Sequence, residues 1–163
     1  MSGLLERLRK HQEDRGLMAA LRCVLVDSKK HRAWPALSRI GVSVGDDISA
    51  LIAGLFATHP MERADGNFGT TCRAIERERG ERRSEDNKLT PTERRFQSLV
   101  TAERGAELEG RVIRMLLIAK SQRVPVNYEK LATDLRYWGD RTKTEWAAAY
   151  WAPGSAPNGG ELP

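Results

Sequence analysis

The chain has 163 residues, 30% of them charged and 40% hydrophobic, and a formal net charge of +5, enough apolar material for one domain or two small helical subdomains. No run approaches the ~18 uncharged apolar residues of a membrane span, and arginines and acids stand where a secretory signal needs an apolar core, so a cytoplasmic protein without membrane association is expected. Period-two alternation of β-branched residues is nearly absent and the apolar runs fit a 3.6-residue period, which predicts an all-α fold.

Leu4, Leu5 and Leu8 predict a short helix within residues 4–13, and Asp14 can cap the next. That second helix buries Leu17, Leu21, Val24 and Leu25 at helical spacing, and its Arg15, Arg22 and Lys29, seven residues apart, share a flank. Such a flank matches phosphate spacing loosely, and a solvated face explains it equally well. Trp34-Pro35 opens another short helix with Leu37 and Ile40, broken by Gly41 and Gly45. Ile48, Leu51, Ile52, Leu55 and Phe56 then follow at i, i+3, i+4, i+7 and i+8 with almost no charge, which marks the core helix of the first half. His59-Pro60 ends it, and Asn67 caps a helix with Phe68, Cys72 and Ile75 inward and Arg73 and Arg77 outward.

From Glu76 to Asn87 the chain reads ERERGERRSEDN, charged and free of apolar side chains, so a mobile connector is expected. Thr90 and Thr92 can cap the next helix, with Pro91 preset for its first turn and Glu93 at its positive end. Phe96, Leu99 and Val100 line one face of it, and Gly105 separates it from a helix striped by Leu108, Val112, Met115, Leu116 and Ala119. Arg104, Arg111 and Arg114 flank that stripe, while Ile113 and Leu117 lie almost opposite it. A helix with two apolar faces is either central or faces a partner. After Val124-Pro125, Asn127 caps a helix with Tyr128, Leu131, Leu135 and Trp138, ended by Gly139, and a last helix carries Trp146 and Tyr150. The aromatics at helical spacing read first as core and only second as stacking platforms for bases.

These elements divide the chain into a helical bundle over 1–79, a charged connector over 80–91, a second bundle over 92–152 and a flexible Pro- and Gly-rich tail over 153–163. Residues 1–75 and 92–151 each carry a net charge of +3, whereas 76–91 are neutral. A groove between two basic halves fits that split better than a basic tail does.

Catalytic chemistry finds poor candidates. His11, His31 and His59 are scattered, no zinc-spaced Cys/His set exists, and Asp46-Asp47 read as helix-start residues rather than metal ligands. Cys23 and Cys72 read as small hydrophobes. No catalytic residue, metal or cofactor is expected. A helix-turn-helix regulator is the alternative, since Leu131-Ala132 through Trp146 has suitable length, but position 136 is arginine where the turn wants glycine, and Gly139 comes late.

The run Glu93-Arg94-Arg95-Phe96 with Leu99, the arginine-bearing helix after it, Pro125-Val126-Asn127-Tyr128 with Leu131, Asp134-Leu135 and Trp138, and then Trp146 and Tyr150, resembles the CasB family, the small subunit of the type I-E CRISPR surveillance complex Cascade. Arg15-Gly16, Ala19 and Leu21-Arg22 look like that family's opening helix motif. The resemblance implies a non-enzymatic protein of two helical bundles whose partners are the other Cascade subunits, a second copy of itself, crRNA and the target and non-target DNA strands of an R-loop. It implies strand contact by Arg22, Arg95, Arg111, Arg114 and Arg141, with Arg15, Lys120 and Lys143 behind them, and subunit contact by Ile113 and Leu117. Two departures stand out. Cys23 occupies a position where many relatives carry a second arginine, and the register of Arg111 and Arg114 against the family is not unique.

Overall fold

The computed structural model describes residues 2–153, so residues 154–163 of the expected flexible tail lie outside the described part. Among the described residues there are nine α-helices: α1 (Ser2–Lys10), α2 (Arg15–Arg22), α3 (Trp34–Arg39), α4 (Asp47–Thr58), α5 (Phe68–Glu78), α6 (Pro91–Val100), α7 (Ala106–Gln122), α8 (Tyr128–Arg136) and α9 (Asp140–Tyr150). The fold is all-α; the single β-bridge, Glu62 to Val126, stands alone.

Helix starts follow the local chemistry. Asp14, Asp46, Asn67, Thr90 and Asn127 each accept a hydrogen bond from a backbone N–H in the first turn of the helix they precede, satisfying donors that have no partner within the helix. Asn67 and Thr90 form reciprocal capping boxes with Thr70 and Glu93.

Helix α4 is buried along its whole length from Ser49 to Thr58. It packs against α1, α2, α7 and α8, so its apolar sequence serves both halves of the chain and not the first alone. One core runs without interruption from Leu4 to Tyr150. The segment that crosses from α7 to α8 is stitched to the end of α4 by buried polar groups: the His59 ring pairs with the Val124 carbonyl at 2.6 Å, and the Tyr128 hydroxyl donates to the carbonyls of His59 (2.5 Å) and Leu55 (3.2 Å). Val126 N–H donates to Met61 and Arg63 N–H donates to Val126, while the Thr71 hydroxyl donates to the Pro125 carbonyl. Buried polar groups hold only when paired, and among the described residues no buried side-chain N or O lacks a partner.

Three local expectations differ from the fold. Helix α2 ends at Arg22, and Cys23–Leu25 continue as a 3-10 turn. A Cβ on Gly54 of α4 would lie 3.0 Å from both Val24 and Leu25, so the tightened turn seats these two against a bare stretch of α4. Lys29 therefore leaves the flank it was read to share with Arg15 and Arg22. Arg104 precedes α7 and is not on its flank; it donates to the carbonyls of Arg136 and Trp138. The charged segment after α5 is held at two points, because Glu81 accepts from the N–H and hydroxyl of Thr92, and Arg83 pairs with Glu93.

Helix α5 lies along α9 at a distance set by Gly69, where an added Cβ would sit 2.1 Å from the Trp146 carbonyl oxygen. Backbone cannot yield as a flexible side chain does. Gly69→Ala is expected to destabilise the protein by about 3 kcal/mol, read as a lowered urea midpoint at unchanged slope.

Candidate nucleic-acid interface

Helix α6 is fixed from below by its own third residue. Glu93 is 3% exposed and its carboxylate accepts from the Thr90 N–H (2.9 Å), the Trp151 indole N–H (2.8 Å) and the Arg83 guanidinium (2.7 Å). One turn on, Phe96 stacks on Tyr150 with ring centroids 4.4 Å apart. With these two side chains inward, Arg94 and Arg95 face solvent.

Helix α7 packs beside α6. Its Arg111 crosses the seam, donating to the Ser98 carbonyl at 2.5 Å while pairing with Glu107 at 2.8 Å. Arg114, one turn further, is exposed. Arg94, Arg95, Ser98, Arg111, Arg114 and Met115 together line a groove of about 250 Å³. Arg94 spends one N–H on the Leu89 carbonyl, and Arg95 and Arg114 have no ion pair among the described residues. Four guanidinium groups thus meet at one helix seam with Glu107 as the carboxylate paired there. A guanidinium fork fits phosphate oxygens bidentately and also stacks on planar groups.

The structure therefore brings Arg95, Arg111 and Arg114 together and adds Arg94, which was not among the sequence candidates. The signal was present, since Arg94 and Arg95 both lie off the Phe96/Leu99 stripe. The other sequence candidates stand outside this groove. Arg22 donates to the Ala57 carbonyl at the end of α4, and Arg15 and Lys120 are exposed on α2 and α7. Arg141 is 93% exposed with a 3.4 Å contact to Glu145, and the Lys143 ammonium lies 5.7 Å from the Trp138 ring centre. Ile113 is half-buried against the core, whereas Leu117 is 47% exposed.

The aromatics read as core are core. Trp138, Trp146 and Tyr150 are buried, the Trp146 indole donates to Asp134 at 2.7 Å, and Tyr150 donates to Glu76. With Trp146 and Tyr150 turned inward, α9 exposes Asp140, Arg141, Thr144 and Ala148, a face with one arginine. Among the described residues no group of three or more His, Cys, Asp or Glu side chains is placed to hold a metal ion, and no helix is long and apolar enough to cross a membrane.

The family model for CRISPR-associated protein Cse2 matches residues 5–151. The chain belongs to the Cse2 family. Two solved structures share its fold: CasB from Thermus thermophilus, with 20% identity, a TM-score of 0.67 and coverage of 91% of this chain and 95% of that one, and M. ruber CasB, with 20% identity, a TM-score of 0.65 and coverage of 91% and 90%. No curated protein sequence matches the chain. Membership of the Cse2 family supports a place for this chain among the subunits of Cascade.

In this Cse2 chain the groove's lower wall depends on an ionised Glu93. Hydrogen bonds from Arg83, Trp151 and Thr90 hold its carboxyl down at about 2, against an ordinary value of 4.5. A group whose pKa is lowered by folding contributes stability above its unfolded value and loses it as pH falls towards the folded one. The contribution, about 3 kcal/mol, is therefore complete above pH 4.5 and disappears between pH 4.5 and 2. Glu93→Gln is expected to be less stable at pH 7 and to show a flatter decline across that acid window, measured by urea unfolding at a series of pH values.

Proposed function

We propose that the chain is the non-catalytic small subunit of a type I-E Cascade complex, and that the groove between α6 and α7 contacts the sugar-phosphate backbone of a nucleic-acid strand in the R-loop. The observation that carries this reading is the meeting of Arg94, Arg95, Arg111 and Arg114 at one seam, three of them free of carboxylate partners among the described residues, in a member of the Cse2 family. Arg22 and Arg141, with Arg15, Lys120 and Lys143, extend the basic surface beyond the groove. Other Cascade subunits and a second copy of the chain are its protein partners, and Leu117, exposed on α7 beside the half-buried Ile113, is its candidate subunit contact.

The energetics suit such a role. Opening a DNA duplex against a guide RNA exchanges one duplex for another of similar stability, so contacts blind to sequence are enough to tip the balance. Arginine clusters provide contacts of that kind, since phosphate is the same at every nucleotide.

Four phosphates neutralised on a single strand correspond to a slope of log affinity against log salt of about −3. Arg95→Ala with Arg114→Ala is expected to make that slope shallower by about 1.4 and to weaken binding equally for unrelated sequences, as read by anisotropy of labelled oligonucleotides. A loss confined to one duplex sequence would favour the helix-turn-helix regulator instead.

A further inference from the structure

Between the 3-10 turn after α2 and the start of α3, residues Asp27–Ala33 form a second 3-10 segment seven residues long. Runs of that length are uncommon, because 3-10 hydrogen bonds are poorly aligned and side chains three apart eclipse one another. Eclipsing sorts this segment into columns. Asp27, Lys30 and Ala33 form one column, buried only at its Ala33 end, where exposed Lys30 reaches back to exposed Asp27 at 3.9 Å. Lys29 and Arg32 form a second column, and His31 with Trp34 a third.

The other two columns are solvent-facing and carry no ion pair. Lys29, His31 and Arg32 are exposed, and none has a side-chain hydrogen bond or ion pair among the described residues. Trp34 is 50% exposed, and His31 meets its ring edge-on with centroids 6.3 Å apart. A half-exposed indole with an imidazole at its edge, on a segment carrying two unpaired cations, is left open to a ligand.

Beneath Trp34 runs a groove of about 320 Å³ with Leu37, Leu51 and Ile113 in its walls and Asp47 and Glu109 among its polar groups. Arg114 lines this groove and also the arginine groove between α6 and α7. The two sites therefore adjoin through one side chain. Carboxylates in the Trp34 groove repel phosphate and accept hydrogen bonds from the amino groups of bases, so the polarity of the site is defined: phosphates on the outer cation column, a base inward against the indole.

We propose that Trp34, supported by His31, stacks on a base of a single-stranded nucleic acid while Lys29 and Arg32 hold flanking phosphates, extending past Arg114 the strand track of the α6–α7 groove. The site rests on the reading of that groove as a strand contact, and it adds a base-stacking element to an interface otherwise made of cations. Residues three apart in one column of a 3-10 segment rise about 6 Å along its axis, which puts Lys29 and Arg32 within reach of successive phosphates on a stretched strand. Stacking on an aromatic ring is tolerant of sequence, because every base presents a π-face.

The test titrates the full chain with labelled 20-nucleotide single-stranded DNA and, separately, RNA, reading anisotropy and tryptophan emission. Trp34→Ala is expected to weaken binding on the order of tenfold, Trp34→Phe to retain most of it, and Lys29→Ala with Arg32→Ala to make the salt slope shallower by about 1.4. Whichever of the DNA and RNA titrations shows these losses identifies the strand held. Should Trp34→Ala fail to fold, as judged by its thermal unfolding, the Trp34→Phe and Lys29/Arg32 variants carry the test alone. Wild-type affinity and slope in these variants, alongside weakened binding by Arg95→Ala with Arg114→Ala, would overturn this site and leave the α6–α7 groove standing. Wild-type behaviour in all of them would overturn both. Oligonucleotide affinity unchanged while Trp34→Ala loses association with another protein subunit would make the groove a protein-docking surface and overturn the proposal as well.

Discussion

A single buried carboxylate sets which way the two arginines that follow it on α6 face. Glu93 gathers the start of α6 through Thr90, the segment after α5 through Arg83 and the chain just beyond α9 through Trp151. Of these only Trp151 comes from far along the chain, and a charge taken out of water is tolerated only when its lone pairs are filled. Arg83 supplies the counter-charge, with its side chain 38% exposed against 4% for Glu93. Because Glu93 turns inward, the next two residues turn outward, and the pair Arg94-Arg95 is aimed at the α7 seam by the same geometry that closes the core. Structure and surface chemistry are consequences of one rotamer.

The same logic explains why cations remain available. The chain holds 22 acidic residues against 27 basic ones, which by itself leaves room for almost complete pairing. Many of the acids are occupied elsewhere: Glu81 at the start of α6, Glu76 under the Tyr150 hydroxyl, Asp134 between Trp146 and Lys130, Asp46 at the start of α4 and against Arg136. Carboxylates spent on caps and indoles do not neutralise a neighbouring groove. The seam thus gathers four guanidinium groups against one paired carboxylate, a local excess of positive charge that the net charge of +5 does not convey.

How much of this was legible in the sequence follows from the range of the forces involved. Helix positions, caps and the inward aromatics were readable because periodicity and capping act over a few residues: Asp14, Asp46, Asn67, Thr90 and Asn127 cap as expected. The role of α4 between the halves was not readable, since a uniformly apolar helix says that it is buried but not by what. The anchoring of the charged segment was missed for a related reason. Glu81 and Arg83 look like any solvated charges until Thr92 and Glu93 are brought against them. Lys29 was misplaced because a seven-residue spacing was extended past Arg22, where close packing on Gly54 changes the helix type. The resemblance to the CasB family directed attention to Arg95, Arg111 and Arg114, and only tertiary structure adds Arg94 to the set.

Contacts that ignore sequence place an unusual demand on rigidity. A protein that reads bases corrects small errors of position through directional hydrogen bonds, whereas one that binds a repeating backbone must present its cations at a fixed spacing before the strand arrives, or lose the gain to ordering entropy. The buried stitches between His59, Tyr128, Val124 and Val126 meet that demand, because they tie the end of α7 to the end of α4 with backbone as well as side-chain hydrogen bonds. Helix α7 also packs against α4, α5 and α6. Its exposed edge carries Arg114 on both grooves, so any displacement of α7 shifts both together. A strand bound there as proposed would meet one rigid ridge rather than a row of independent side chains, and its affinity would depend on the integrity of the core as much as on any single arginine.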